Sequence, residues 1–164
     1  MTTALKRHRE GFTLVELIVT MGIIAVMLTL GGISFLGGQR RSVLSSTVET
    51  IVSDLKQQQL KAVTGDTGGA SYSGAYGIYF EPSRYTLFHG TQYQLGNADN
   101  FVVNLNSSIQ FIGINFPSST LVFASVSGET LNYISGSDNL TVEEVNNKEQ
   151  NRIIVNGLGS ISIQ

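Results

Sequence analysis

The sequence predicts an α+β protein in which a long N-terminal helix precedes a β-rich domain. Three observations support this class. Residues 17–38 form an uncharged apolar run, residues 42–63 carry apolar side chains at helical spacing, and short β-branched and aromatic runs follow residue 69. A helix followed only by strands is expected to pack its C-terminal half on an antiparallel sheet, or on two packed sheets.

The charge balance argues against binding to nucleic acid through bulk electrostatics. The 164 residues contain 10 Lys and Arg against 12 Asp and Glu, a formal net charge of -2. Without residues 1–11 the chain keeps seven bases and eleven acids, whereas polyanion binders carry a basic excess. Cysteine is absent, so the β-domain must be stabilised by burial and hydrogen bonds.

The apolar run is long enough to cross a bilayer. As a helix, residues 17–38 would extend roughly 33 Å. A cleaved secretory signal would have a shorter apolar core with a small-residue site soon after it, and the candidate site at Gly31 and Gly32 is followed by further apolar residues. We therefore expect the segment to remain attached as an anchor.

Three basic residues and the acid Glu16 lie on the N-terminal side of this run. Lys6, Arg7 and Arg9 precede Gly11, and a single acid, Glu16, interrupts the apolar stretch that follows. An acid at the centre of a membrane helix costs roughly 2.5 to 3.5 kcal/mol. Glu16 therefore either marks the membrane interface or needs a positively charged partner.

The string GFTLVEL at residues 11–17, after a short basic leader and before an apolar helix, resembles the class III signal of type IV prepilins and type II secretion pseudopilins. The resemblance implies a pilin-like fold. It also implies that a prepilin peptidase cuts between Gly11 and Phe12 on the cytoplasmic side, and that the new amine of Phe12 is N-methylated.

The same resemblance implies roles for the charged residues and for partners. The leader bases Lys6, Arg7 and Arg9 fit the positive-inside rule for a cytoplasmic N-terminus. Glu16 would pair with the N-terminal amine of a neighbouring subunit in the assembled filament. The expected partners are prepilin peptidase, other pilin or pseudopilin subunits, an inner-membrane assembly platform and the membrane, with no nucleic acid.

Four segments are expected along the chain. Residues 1–11 would be the cleaved leader, 12–38 a transmembrane and filament-core helix, 39–66 its amphipathic continuation, and 67–164 an extracytoplasmic β-rich domain. The protein would cross the bacterial inner membrane once and then enter a pilus or pseudopilus.

The second half of the helix has one apolar face, and turn residues at 64–69 end it. The apolar face is formed by Leu44, Val48, Ile51, Leu55 and Ala62. Strands are predicted at 75–81, 84–89, 100–105, 108–112, 120–126, 129–134, 140–145, 152–156 and 160–164. The first two form a hairpin around Pro82 and Ser83, and the last two form another around 156–159.

Three further features are similar to the minor pseudopilins of the FimT/GspH type. They are the helix end from Val52 through Ala62, the strand pair 76–80 and 84–88, and the closing strand 152–155 followed by Gly159. A minor subunit is favoured on this basis, with a major pilin or a DNA-uptake minor pilin as alternatives. The absence of cysteine departs from pilins whose C-terminal loop is closed by a disulfide.

Catalytic and metal-binding patterns are scarce. His89 is the one histidine outside the leader, and we expect it to be a surface residue at a strand end rather than a catalytic base. Loops 96–100 and 136–139 contain oxygen-bearing side chains that could bind calcium, but their Asn, Asp and Gly residues are also those of ordinary turns. We expect no enzyme activity, no cofactor and no metal.

Overall fold

The computed structural model describes residues 11–67 and 74–164, with only the backbone described at 30–40. One helix, α1, runs from Leu14 to Thr64. A short 3-10 turn lies at Pro117–Ser119. The strands are β1 Tyr76–Glu81, β2 Arg84–His89, β3 Phe101–Asn104, β4 Ile109–Asn115, β5 Thr120–Phe123, β6 Asn139–Glu144, β7 Gln150–Val155 and β8 Ile161–Ile163. The chain divides into two compact units, Met1–Gln39 and Arg40–Gln164.

The second unit confirms the predicted α+β class. Its strands form two four-stranded sheets, in the orders β3-β2-β1-β5 and β4-β6-β7-β8, and every pairing is antiparallel. The hairpin around Pro82 and Ser83 is confirmed by pairing of Glu81 with Arg84. The C-terminal hairpin pairs Val155 with Ile161.

The predicted apolar face of the helix is confirmed. Leu44, Val48, Ile51, Leu55 and Ala62 are all at most 3% exposed and belong to one core cluster with residues of both sheets. Aromatic rings fill much of this core, with Phe80 packing on both Phe111 and Phe116. Two sheets therefore share a single apolar core with the C-terminal part of α1.

Polar bonds fix the helix on the sheets. The hydroxyl of Tyr85 on β2 donates to Asp54 Oδ2 at 2.6 Å. The side-chain amide of Gln59 donates to the carbonyls of Gly128 at 2.9 Å and Gly159 at 3.1 Å. A Cβ at Gly159, where φ is +77°, would overlap both Gln59 and the Gly128 carbonyl, so this close approach requires glycine.

The predicted strand at 129–134 is wrong. Only isolated bridges, Phe123 to Thr130 and Ile134 to Ser137, form in this part of the chain. The backbone N–H of Leu131 donates to Val122, but the next bonds to β5 come from a side chain. Asn132 Oδ1 accepts from the Val122 N–H at 3.2 Å, and Asn132 Nδ2 donates to the Thr120 carbonyl at 2.5 Å. The Asn132 carboxamide thus makes the hydrogen bonds to β5 that the backbone of a neighbouring strand would otherwise make.

Candidate functional site

The helix begins immediately after the sequence motif. Residues 11–13 precede α1, and the hydroxyl of Thr13 accepts a hydrogen bond from the Glu16 N–H at 3.2 Å. The carbonyl of Thr13 accepts the Leu17 N–H at 3.1 Å. Thr13 is therefore an N-cap. The pattern Thr13-x-x-Glu16 is that of a capping box, a helix-start signal that is visible in the sequence alone.

Capping leaves the residues on either side of the predicted cleavage point accessible. Gly11 and Phe12 are both exposed, Phe12 at 82%. A Cβ placed on Gly11 would meet nothing within 4 Å. The described structure around Gly11 therefore imposes no local requirement for glycine.

The first part of the helix exposes apolar side chains on all sides. Successive residues are rotated by about 100°, so the positions from Leu14 to Leu28 cover the whole circumference. The exposed large apolar residues are Leu14, Val15, Leu17, Ile18, Val19, Met21, Ile23, Ile24, Val26, Met27 and Leu28. A helix that is apolar all round is stable where its surroundings are apolar too.

The polar side chains of this segment are satisfied within the helix. The hydroxyl of Thr20 donates to the Leu17 carbonyl at 3.0 Å, and that of Thr29 donates to the Val26 carbonyl at 2.7 Å. Hydroxyls bonded in this way can enter an apolar environment at little cost. Glu16 is the sole ionisable residue between 11 and 29, and its side chain is exposed. It therefore places one charge on an otherwise apolar surface.

Some predicted features of this region are not tested by the structure. Lys6, Arg7 and Arg9 lie outside the described residues. Within the described part of the chain, no helix is both long and apolar enough to cross a membrane. The span at 12–38 stays a prediction.

His89 lies at the end of β2 and is half-buried, not on the open surface as expected. Its ring packs on Tyr76, with ring centres 4.7 Å apart and planes tilted by 40°. The cleft beside it, of about 340 Å³, is also lined by Asp54 and Asp99. One oxygen of Asp54 already accepts the Tyr85 hydroxyl at 2.6 Å. The contacts described for His89 and Asp54 are thus with tyrosine side chains.

The two loops considered for calcium form turns. In loop 96–100, Asn97 Oδ1 accepts the Asp99 N–H at 3.1 Å, and Asn100 Nδ2 donates to the Gln94 carbonyl at 2.7 Å. In loop 136–139, Asp138 Oδ1 accepts from Asn139 Nδ2 at 3.3 Å. Among residues 11–67 and 74–164, no three His, Cys, Asp or Glu side chains are grouped to hold a metal ion.

Comparison with protein families identifies one match. Residues 6–32 match the family model of the prokaryotic N-terminal methylation motif. No curated protein and no solved structure matches the chain. The match covers the leader bases, the GFTLVEL string and the first part of the apolar helix. It supports an N-terminal signal of the kind found in type IV pilins and pseudopilins.

Proposed function

We propose that this chain is a minor pilin or pseudopilin subunit, made as a membrane-anchored precursor and assembled into a filament through its N-terminal helix. The observation that carries the proposal is the match of residues 6–32 to the methylation motif. The motif adjoins a helix whose apolar side chains are exposed on all sides. Such a surface needs lipid or other apolar helices around it.

Maturation in this proposal is cleavage between Gly11 and Phe12, followed by N-methylation of Phe12. Both residues are exposed and lie outside α1, as access by a peptidase requires. Lys6, Arg7 and Arg9 would hold the leader on the cytoplasmic side. The precursor would cross the inner membrane once, with residues 67–164 on the far side.

Glu16 is proposed to set the register of assembly. Packing of the apolar helices removes water from their surfaces, and an unpaired carboxylate there is costly. The amine of Phe12 on a neighbouring subunit would supply the opposite charge. Each incoming subunit is then stabilised only where its amine meets a carboxylate already in place.

The similarity to the FimT/GspH type favours a minor subunit over a major pilin. It rests on the end of α1, the β1–β2 hairpin and the closing strand β7. A DNA-uptake role would require a basic stripe, and two of the relevant bases are already paired. Arg84 binds Glu81 at 2.6 Å, and Lys148 binds Glu143 at 3.2 Å. These pairings lower the positive charge available to phosphates.

Substitution of Glu16 tests the assembly role. We expect Glu16→Gln to be cleaved as wild type but to fall at least about tenfold in sheared filaments, because a neutral amide cannot offset a buried amine. Glu49→Gln is the matched control, since Glu49 is an exposed acid on the amphipathic half of the same helix. Entry of Glu16→Gln into filaments at the wild-type level would contradict the proposed charge pairing.

Immunogold labelling of sheared filaments tests the type of subunit. Label at tips rather than along shafts would support a minor subunit.

A further inference from the structure

The outer face of the first sheet carries a second apolar cluster, separate from the main core. Ala75, Phe88 and Val122 are buried there, and Tyr79 and Tyr93 pack against them. Phe88 lies across Gly77 on the paired strand, because a Cβ at Gly77 would collide with the Phe88 ring. The segment after β2 then brings Tyr93 over the sheet.

Two tyrosine rings form a fixed platform on this face. Tyr79 and Tyr93 are stacked, with ring centres 4.2 Å apart and planes within 8° of each other. Phe88 meets the Tyr93 ring edge-on at 5.8 Å. Aromatic pairs in such arrangements are stabilised beyond their area of contact. The two rings are therefore held in place before any ligand arrives.

A groove of about 570 Å³ runs beside this platform. Its volume is within the range of about 300–1,000 Å³ found for small-molecule sites. The groove is lined by Tyr79, Thr91, Gln92, Tyr93, Pro117, Ser118, Thr120, Val122, Leu131 and Asn132. None of these described lining residues is charged. The exposed Arg84 guanidinium lies near Tyr79 and Tyr93, but it is paired with Glu81 at 2.6 Å. The groove therefore offers aromatic surface, hydroxyls and carboxamides, with no unpaired charge among its lining residues.

Two of the four non-glycine residues with positive φ in the described part of the chain lie in the turn that forms one wall of the groove. Ser118 and Ser119 both adopt left-handed conformations, with φ of 53° and 55°, which cost a non-glycine residue roughly 1–2 kcal/mol each. The turn is held by the Ser119 N–H bonding the Phe116 carbonyl and by the Thr120 hydroxyl bonding the Ser118 carbonyl, both at 2.9 Å. Strained residues of this kind cluster at ligand-binding sites.

The adjoining edge of β5 is closed to a further strand. The Asn132 carboxamide bonds both Val122 and Thr120, and the Leu131 N–H bonds the Val122 carbonyl. A peptide therefore cannot add to the sheet here by β-augmentation.

We infer that this groove binds a neutral oligosaccharide. The apolar face of a sugar ring presents weakly positive C–H groups, which pack on the negative face of an aromatic ring. Sugar hydroxyls both donate and accept hydrogen bonds, and the side chains of Thr91, Gln92 and Ser118 can do the same. The inference concerns the β-domain alone and does not rest on the proposed role in filament assembly.

Titration calorimetry on the full chain in mild non-ionic detergent tests the inference. The probes are maltohexaose, N-acetylchitohexaose, an acidic hexagalacturonate and hexaproline. We expect at least one of the two neutral sugars to bind with Kd below about 1 mM, and more tightly than the other two probes. Binding of hexaproline or hexagalacturonate more tightly than either neutral sugar would overturn the assignment, as would no neutral-sugar binding up to about 10 mM.

Variants then locate the site. Tyr93→Ala should weaken sugar binding at least about tenfold, whereas Tyr93→Phe keeps the ring and should change it less than about threefold. Gln92→Ala, at an exposed position outside the apolar cluster, should weaken it about threefold without affecting folding. Phe101→Ala is the control, an exposed aromatic outside the groove. Binding by Tyr93→Ala and Gln92→Ala equal to wild type would overturn the assignment.

Discussion

Two parts of one helix differ in what covers their apolar side chains. In α1, Ile24 is 56% exposed, whereas Ile51 is 1% exposed. The later part has an apolar face that the two sheets bury and a polar face that meets solvent. The earlier part has apolar side chains exposed on all sides.

The difference shows that the two parts are stabilised by different surroundings. The later part is stabilised by contacts made within the chain, so its sequence has the one-sided period of a packed helix. The earlier part has no such face, and its residues suit lipid or neighbouring helices. The first prediction tests whether the stability of the β-domain depends on the later part of the helix and not on the earlier part.

The largest effect is expected from a matched pair of isoleucine substitutions. Ile51→Ala should lower the free energy of unfolding of the β-domain by about 2–5 kcal/mol, because it leaves a cavity in the core. Ile24→Ala should change that free energy by less than about 0.5 kcal/mol. Urea unfolding followed by tyrosine fluorescence measures this, since all six tyrosines lie at residue 72 or beyond. Equal destabilisation by the two variants would contradict the claim that only the later part of the helix stabilises the β-domain.

A smaller effect is expected where the helix is bonded to two loops. Gln59→Ala removes the bonds to the Gly128 and Gly159 carbonyls and should cost about 1–3 kcal/mol, at roughly 1 kcal/mol or more for each bond. Gln57→Ala is the control, because Gln57 is exposed on the same helix. If both variants unfold at the same urea concentration, the amide of Gln59 does not stabilise this contact.

The smallest effect is expected on the pH dependence of the free energy of unfolding. The pKa of Glu143 is lowered by hydrogen bonds from Gln110 and Gln150, and further by the hydrogen bond and charge of Lys148. The stabilisation linked to this carboxylate is therefore complete above the ordinary glutamate pKa, near 4.5. It is lost as pH falls through the lowered value in the folded protein. We expect Glu143→Gln to reduce the acid sensitivity of unfolding, and Glu129→Gln, at an exposed acid, to leave it unchanged.

Periodic features of the fold could be predicted from the sequence. The apolar face of the helix was predictable because its spacing follows the helical period. The hairpin at Pro82 and Ser83 was predictable because turn residues separate two alternating runs. The N-terminal signal was recognisable from contiguous residues, and its capping box could have been read from Thr13 and Glu16.

Features that depend on distant residues could not be predicted in this way. Asn132 replaces strand backbone beside β5, so residues 129–134 have strand-like composition without forming a strand. The stacking of Tyr79 on Tyr93 joins a strand to a later loop. In both cases the role of a side chain depends on which distant part of the chain folds against it. The spacing of residues within one segment does not predict such a contact.

The most direct test of the account is the identity of the N-terminus after expression with a prepilin peptidase. Mass spectrometry of the N-terminal peptide should show that the chain begins at Phe12 and carries one methyl group on its amine. A bulky substitution at Gly11 should leave the full-length precursor, although the space around Gly11 would accommodate a side chain. A chain that still begins at Met1 after expression with the peptidase, or cleavage at any other bond, would contradict the proposed maturation.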